Sequence, residues 1–442
     1  MTTFRELNLT KPLLRALEDM SISEPTPIQL KAFPVIMSGR DAVGIAQTGT
    51  GKTLSYLLPI LRMLDYSEQR PPRVVIVVPT RELVVQVVQE IEKLSKYMSL
   101  RVFGVYGASN INTQKARLFE GLDILVGTPG RLIDLTLSNS LQFKSIKKLV
   151  IDEADEMLNL GFRPQLMQLL EAMPLKRQSL LFSATMSEEV ELLINRYFLS
   201  PETLEIIARG TPADKITQLA YFVPNFYTKL NLLKRLLEDQ HDWTKVLLFV
   251  NNKTRAGELE TMLESTGVEI GVMHSNKSQT NRFAAIKQFQ EGSLRVLIAT
   301  DVMARGLDLQ GITHVINFDI PTVPDTYVHR IGRTGRAGQT GVAIALVSDF
   351  DKAQFKAIEK QLGTKITPVL LPADLEINNE LITEELPVRR DKNLAKNKKL
   401  QFSGGGAFHE KKDKNKKVQL GGKRRQEKQK RALELSKSKR KR

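Results

Sequence analysis

The 442-residue sequence has no cysteine, only five histidines, and no apolar run long enough to cross a bilayer. Without cysteine there is no disulfide framework, no thiolate zinc site, no iron–sulfur cluster and no thiol catalysis. The same absence fits a reducing compartment. The histidines (His241, His274, His314, His329, His409) are scattered and form no His-x-x-x-His pair, which argues against a structural transition-metal site. The opening residues Met1 to Glu6 lack the apolar core of a secretory signal. No segment approaches the roughly 20 apolar residues a membrane span requires. A soluble, cytoplasmic protein without membrane contact is the expectation.

Net charge is also nearly missing from most of the chain. The total is +16, from 65 Lys/Arg and 49 Asp/Glu. Residues 389–442 hold 22 of the basic and 5 of the acidic residues, a local net of +17. The body before them keeps 43 basic and 44 acidic residues, a net of −1. This pattern describes a neutral body with a basic appendage, and it weakens a reading as a basic nucleic-acid-binding fold. The appendage is rich in Lys, Arg and Gly and poor in aromatics, so it cannot bury enough apolar surface to offset chain entropy and is expected to be disordered.

The length exceeds what one core usually spans. Short β-branched runs alternate with amphipathic stretches. Val74–Val78, Asp123–Val126, Lys148–Asp152 and Ser179–Ser183 come first, then Ala220–Val223, Lys245–Val250, Arg295–Thr300, His314–Phe318 and Gly341–Val347. Several are almost continuous Val/Ile/Leu, as in parallel strands covered on both faces. Glu82–Lys96 and Arg255–Thr266 have helical spacing between them. The expectation is an α/β protein with parallel sheets in two domains, residues 1–207 and 217–370. The turn-rich 208–216 joins them, and a C-terminal extension covers 371–442. No sequence repeat relates the two halves.

Ala46-Gln-Thr-Gly-Thr-Gly-Lys-Thr53 is the most informative loop. It fits the phosphate-loop pattern except that Ala46 replaces the first glycine. Gly49 and Gly51 would let backbone N–H groups face a phosphate chain, Lys52 can reach the β/γ-phosphates, and the Thr53 hydroxyl can ligate Mg²⁺. The plainer alternative is a glycine-rich strand-to-helix turn with an incidental lysine. About 100 residues on, Asp152-Glu-Ala-Asp155 follows Leu149-Val-Ile151. A carboxylate at a buried strand's end is where such a sheet contacts Mg²⁺, and Glu153 is placed to orient and deprotonate a water. Its plainer alternative is an acidic helix start.

Together with their neighbours these residues resemble the DEAD-box family of ATP-dependent RNA helicases, in a run from Phe4 to about residue 370. Pro25-Thr-Pro-Ile-Gln29 resembles the Q motif, with Phe4 at the spacing of the upstream aromatic. Pro79-Thr-Arg-Glu-Leu83, Tyr106-Gly-Ala108, Thr128-Pro-Gly-Arg131 and Ser183-Ala-Thr185 follow in the family's order. The second half contributes Leu248-Phe-Val250, Gln279-Thr-Asn-Arg282, Ala299-Thr-Asp301, Arg305-Gly-Leu-Asp308 and His329-Arg-Ile-Gly-Arg-Thr-Gly-Arg336. Ser21-Ile22, Ala108 and Met303 depart from the family's usual glycine-aromatic pair, glycine and alanine. The wording is most similar to the bacterial helicase E-like subgroup.

The resemblance implies two tandem RecA-like domains and RNA-stimulated ATP hydrolysis that drives local, non-processive unwinding or remodelling of RNA and RNA–protein complexes. ATP is implied at Phe4, Gln29, Ala46, Gln47, Thr48, Gly49, Thr50, Gly51, Lys52, Thr53 and Asp308. Thr53 and Asp152 would hold Mg²⁺, partly through water. Lys52, Asp152, Glu153, Arg333 and Arg336 would be catalytic, the two arginines as fingers from the second domain. Ser183, Thr185 and His329 would couple nucleotide state to interdomain contacts. RNA is implied at Thr80, Arg81, Gly107, Thr128, Gly130, Arg131, Gln279, Arg282 and Thr300. The basic tail would add salt-sensitive tethering to RNA or ribonucleoprotein, its alternative being a solubilising role. Ribosome-assembly and RNA-decay complexes are partners the family allows. An ATP-gated clamp and a DNA helicase are the competing functional classes.

Overall fold

The structure, a computed structural model, describes residues 3–46, 50–205, 216–239, 243–274, 276–304, 309–335 and 340–386. The first half contains strands β1 (Ala42–Ile45), β2 (Val74–Val77), β3 (Val102–Val105), β4 (Ile124–Gly127), β5 (Lys148–Ile151), β6 (Gln178–Ser183) and β7 (Glu202–Glu205). They form one parallel sheet in the order β3-β4-β2-β5-β6-β1-β7. The second half contains β8 (Ile216–Val223), β9 (Val246–Val250), β10 (Ile270–Met273), β11 (Val296–Thr300), β12 (His314–Asn317), β13 (Gly341–Ser348) and β14 (Thr367–Val369). Their order, β10-β11-β9-β12-β13-β8-β14, is the same path traced a second time.

Alternation of side chains explains the continuous apolar runs. Val74, Ile76, Ile124, Val126, Val150, Leu180 and Phe182 pack into one layer of core. Their neighbours Val75, Val77, Leu125, Leu149, Ile151 and Leu181 pack into another on the opposite face. A strand covered twice has no polar position to show, so it reads as an unbroken run. The second sheet repeats this, with Val246, Leu248 and Ile298 in one layer and Leu247, Phe249 and Leu297 in the other.

The first sheet's last strand, β7, ends at Glu205 and the second sheet's first, β8, begins at Ile216. Most of the expected connector lies outside the described residues. The second half does not stop at 370. Leu371, Leu375 and Ile382 pack against its core. Glu385 is buried, and its Oε1 accepts from the Phe226 N–H at 2.8 Å. The tail beyond Leu386 lies outside the described residues.

Candidate functional site

In a parallel α/β sheet, loops leaving the carboxyl ends of the strands form the binding crevice. The neighbouring strands β5, β6 and β1 converge there on three segments: Asp152–Asp155, Ser183–Thr185 and the loop after Ile45. The Ala46 N–H donates to the Ser183 carbonyl at 3.1 Å, fixing the loop's root against β6. Gln47, Thr48 and Gly49 lie outside the described residues. The helix Lys52–Arg62 starts from Gly51, whose φ of +85° suits glycine. A Cβ on Gly51 would lie 2.5 Å from the Gln29 amide nitrogen. That amide donates to the Gly51 carbonyl at 3.2 Å, while Gln29 Oε1 accepts from the Thr26 N–H at 2.9 Å. Gln29 therefore holds the loop's last glycine to the start of the helix Pro27–Met37.

Lys52 carries the site's charge. Its ammonium is buried, has no hydrogen-bond partner, and stands 4.0 Å from Glu153 Oε1. A cation held this way favours an anion beside it. Asp152 and Glu153 are also buried. Burial pushes both carboxyls upward from their ordinary values. Lys52 pulls each back, and Arg333 of the other half pulls on Glu153 as well. Asp152 Oδ1 accepts from the Glu153 N–H, and Oδ2 accepts from the fully buried Tyr56 hydroxyl, both at 2.9 Å. Burial, with Asp152 beside it, pushes the Tyr56 phenol well up, and the Thr53 hydroxyl acts on it in the opposite direction. Glu153 sits at φ 55°, ψ 50°, a left-handed conformation uncommon for a side-chain-bearing residue.

Asp155 links this loop to the next. Its Oδ2 accepts from both the N–H and the hydroxyl of Thr185 at 3.0 Å, and its own N–H donates to Ser183 Oγ at 3.3 Å. His329 Nδ1 lies 3.3 Å from Glu156 Oε1, so the second half reaches the helix that Glu153 caps. Arg333, near the end of the same segment, is buried. Arg336 and Asp308 lie outside the described residues. Phe4 is 3% exposed and packs in the first core layer.

The residues read as RNA contacts share the strand ends. Thr80 and Thr128 cap the helices Arg81–Leu94 and Pro129–Leu137 after β2 and β4. A Cβ on Gly130 would meet no atom within 4 Å, so the backbone there is open to approach. Gly107 follows β3, and the Arg81 guanidinium is its nearest neighbour, 3.9 Å from a Cβ built there. Burial and the nearby Arg282 cation lower the Arg81 pKa, as expected where like charges are gathered. Thr300 ends β11, and Gln279 starts the helix Gln279–Glu291 with its amide nitrogen buried and unbonded.

Two arginines in the set are engaged within the protein. Arg131 donates to the Ser109 carbonyl at 3.2 Å and to Gln114 Oε1 at 2.9 Å, bracing the loop that holds Ala108 at φ 54°. Arg282 lies 2.8 Å from Glu82 of the first half and donates to Met303 Sδ at 3.0 Å. Sequence reasoning did not single out Tyr56 or Glu156, and it named Glu82 only within Pro79–Leu83 and at the start of Glu82–Lys96, without its partner Arg282. Each looks like an ordinary helical residue until the fold supplies its partner.

Two family models match the chain: DEAD/DEAH box helicase over residues 26–193 and Helicase conserved C-terminal domain over 228–338. The DEAD-box ATP-dependent RNA helicase CshA of Bacillus cereus is 40% identical over 389 residues, covering 87% of this chain and 74% of its own. The ATP-dependent RNA helicase RhlB of Pseudomonas syringae pv. tomato is 40% identical, covering 85% and 96%. Neither carries the name of the helicase E-like subgroup. Among solved structures, S. cerevisiae Dbp5 bound to RNA and ADP BeF3 aligns with a TM-score of 0.76 at 32% identity, covering 84% of this chain and 96% of that one. Mss116p bound to ssRNA and AMP-PNP aligns with a TM-score of 0.74 at 27% identity, covering 84% and 80%. No helix among the described residues is long and apolar enough to cross a membrane.

Proposed function

Because this chain belongs to the DEAD-box family of ATP-dependent RNA helicases, we propose that ATP lies along the buried Lys52 ammonium, between the loop 46–53 and Arg333. The observation that carries this reading is the unbonded Lys52 cation, set 4.0 Å from Glu153 at the carboxyl edge of β1 and β5. Such a cation is positioned for β/γ-phosphate oxygens. Ala46, Gln47, Thr48, Gly49, Thr50 and Gly51 would wrap the phosphates, and Gln29 with Phe4 would serve the adenine end. Asp308 would meet the ribose.

Glu153 would orient the attacking water and take its proton. A carboxylate raised by burial is a stronger base for that task than an exposed one. Lys52, Arg333 and Arg336 would offset charge developing on the transferred phosphoryl group. Thr53 and Asp152 suit Mg²⁺: both offer hard oxygen, and Asp152 is a buried carboxylate with its two oxygens already oriented. Bound there, the ion would compensate phosphate charge, leaving positioning to the chain.

Coupling would run through Asp155 to Ser183 and Thr185, and across the halves through His329 with Glu156. RNA would lie over the strand ends at Thr80, Arg81, Gly107, Thr128, Gly130, Gln279 and Thr300, contacted mainly by backbone donors and helix starts. Arg131 and Arg282 would act there by holding loops and by joining the halves. RNA spanning both halves would favour their closure, and closure delivers the arginines; this makes hydrolysis RNA-dependent. We assign residues 1–207 and 217–370 to the two RecA-like domains, with 371–386 serving the second. The +17 tail would tether the enzyme to RNA in the cytoplasm.

Glu153→Gln tests the assignment. It is expected to keep ATP and RNA binding while losing turnover, and retained RNA-stimulated turnover overturns it.

A further inference from the structure

Tyr56 stands out among buried polar groups because it faces the nucleotide site from below. It lies on the helix Lys52–Arg62, one turn after Thr53. Its ring is fully buried and packs on Phe182 of β6, with centroids 5.2 Å apart and planes tilted by 46°. Its hydroxyl nevertheless emerges at the edge of the sheet and donates to Asp152 Oδ2 at 2.9 Å. Core packing alone needs only the ring. A hydroxyl in this position must be satisfied, and the acceptor it finds is the carboxylate at the end of β5.

We infer that Tyr56 is a positioning residue for the divalent cation: its hydroxyl fixes the rotamer of the Asp152 carboxylate. The inference rests on the proposed role of Asp152 and Thr53 in holding Mg²⁺. Asp152 Oδ1 is held by the Glu153 N–H, so the two bonds together fix the plane of the carboxylate. Each oxygen keeps a further lone pair for a metal-bound water. Without the phenol, Oδ2 loses this donor and the carboxylate gains rotational freedom. Partners of this outer kind typically set metal affinity by about tenfold or more. The effect should appear in the Mg²⁺ requirement and not in nucleotide binding as such.

The test uses the full chain and a fluorescent ADP analogue, with MgCl₂ titrated at fixed nucleotide and an EDTA arm. Tyr56→Phe is expected to bind the analogue in EDTA as the parent does, while the Mg²⁺ midpoint for tight binding rises about tenfold. ATP turnover should then recover at high Mg²⁺. Phe182→Leu serves as the packing control: it should lower the melting temperature and leave the Mg²⁺ midpoint where it was. Asp152→Asn and Thr53→Ala report on the underlying assignment. If neither moves the midpoint, the cation assignment itself falls. If they move it and Tyr56→Phe does not, the assignment stands and the role of Tyr56 is overturned. A Tyr56→Phe variant weakened equally in EDTA and in Mg²⁺ also overturns it, since that is the signature of packing alone.

Discussion

Arg282 of the second half lies 2.8 Å from Glu82 of the first, and both side chains are less than a tenth exposed. Glu82 is the second residue of the helix that Thr80 caps, while Arg282 lies one turn into the helix that Gln279 starts. The pair therefore joins two helix starts proposed to lie under RNA, and it exists only when the halves are together.

Removing one partner should cost closure more than folding, because each half can open and return the remaining charge to water. Arg282→Ala is expected to disfavour closure by about 2 kcal/mol, at the low end for a buried pair because Glu82 Oε1 makes no well-aligned hydrogen bond. That corresponds to roughly thirtyfold in the closure equilibrium. The checks are RNA-stimulated against basal ATPase and a fluorescence distance between the halves. A variant with normal stimulation and normal closure removes Glu82–Arg282 from the coupling path.

Much of this was legible from residues alone, for identifiable reasons. Strands covered on both faces, such as Val74–Val77, announce themselves as apolar runs. Strands β1, β3 and β10 did not, because each has four residues with a glycine inside. Gly44 is there because Phe182 leaves no room: a Cβ would lie 2.6 Å from its ring. The shared strand order of the halves was hidden, since double burial constrains apolar character and not identity. The phosphate loop and the Asp152 segment were visible because their chemistry demands particular residues. Tyr56 and Glu156 were not, because their meaning comes from partners brought by the fold; Glu82 was visible in its motif, but its pairing with Arg282 was not. Arg131 was legible as a motif member, but its inward bonds to Ser109 and Gln114 were not.

Glu153 should lower the stability of the free enzyme at neutral pH. Burial raises its folded-state pKa above the ordinary glutamate value. The unfolded chain then releases its proton first as pH rises. Folding is thus favoured most below the ordinary glutamate pKa, and this contribution is lost as pH climbs through the folded value. Glu153→Gln, which cannot ionise, escapes that loss. Its melting temperature is expected to exceed the parent's at neutral pH, with the gap narrowing on acidification. Thermal melts of nucleotide-free protein across a pH series check this, and a gap that widens toward acid contradicts it.

Two truncations separate the packed segment 371–386 from the basic tail. That segment belongs energetically to the second half: Glu385 caps the Phe226 N–H, Arg255 pairs with Glu384, and Thr228 Oγ1 donates to the Asn378 carbonyl at 3.2 Å. Deleting 371–442 exposes the surface on which Leu371, Leu375 and Ile382 pack and orphans those donors, so the melting temperature should fall. Deleting only 389–442 touches none of these interactions and should leave the melting temperature unchanged. It removes the +17 segment, however, so RNA affinity should drop. The dependence of affinity on salt should also flatten, by about 0.7 in log–log slope for each phosphate the tail had neutralised. ATPase activity at saturating RNA and low salt should persist, because the residues proposed to be catalytic all lie in the near-neutral body. Unchanged RNA affinity and salt slope in the shorter deletion reject the tether and leave the tail a solubilising role.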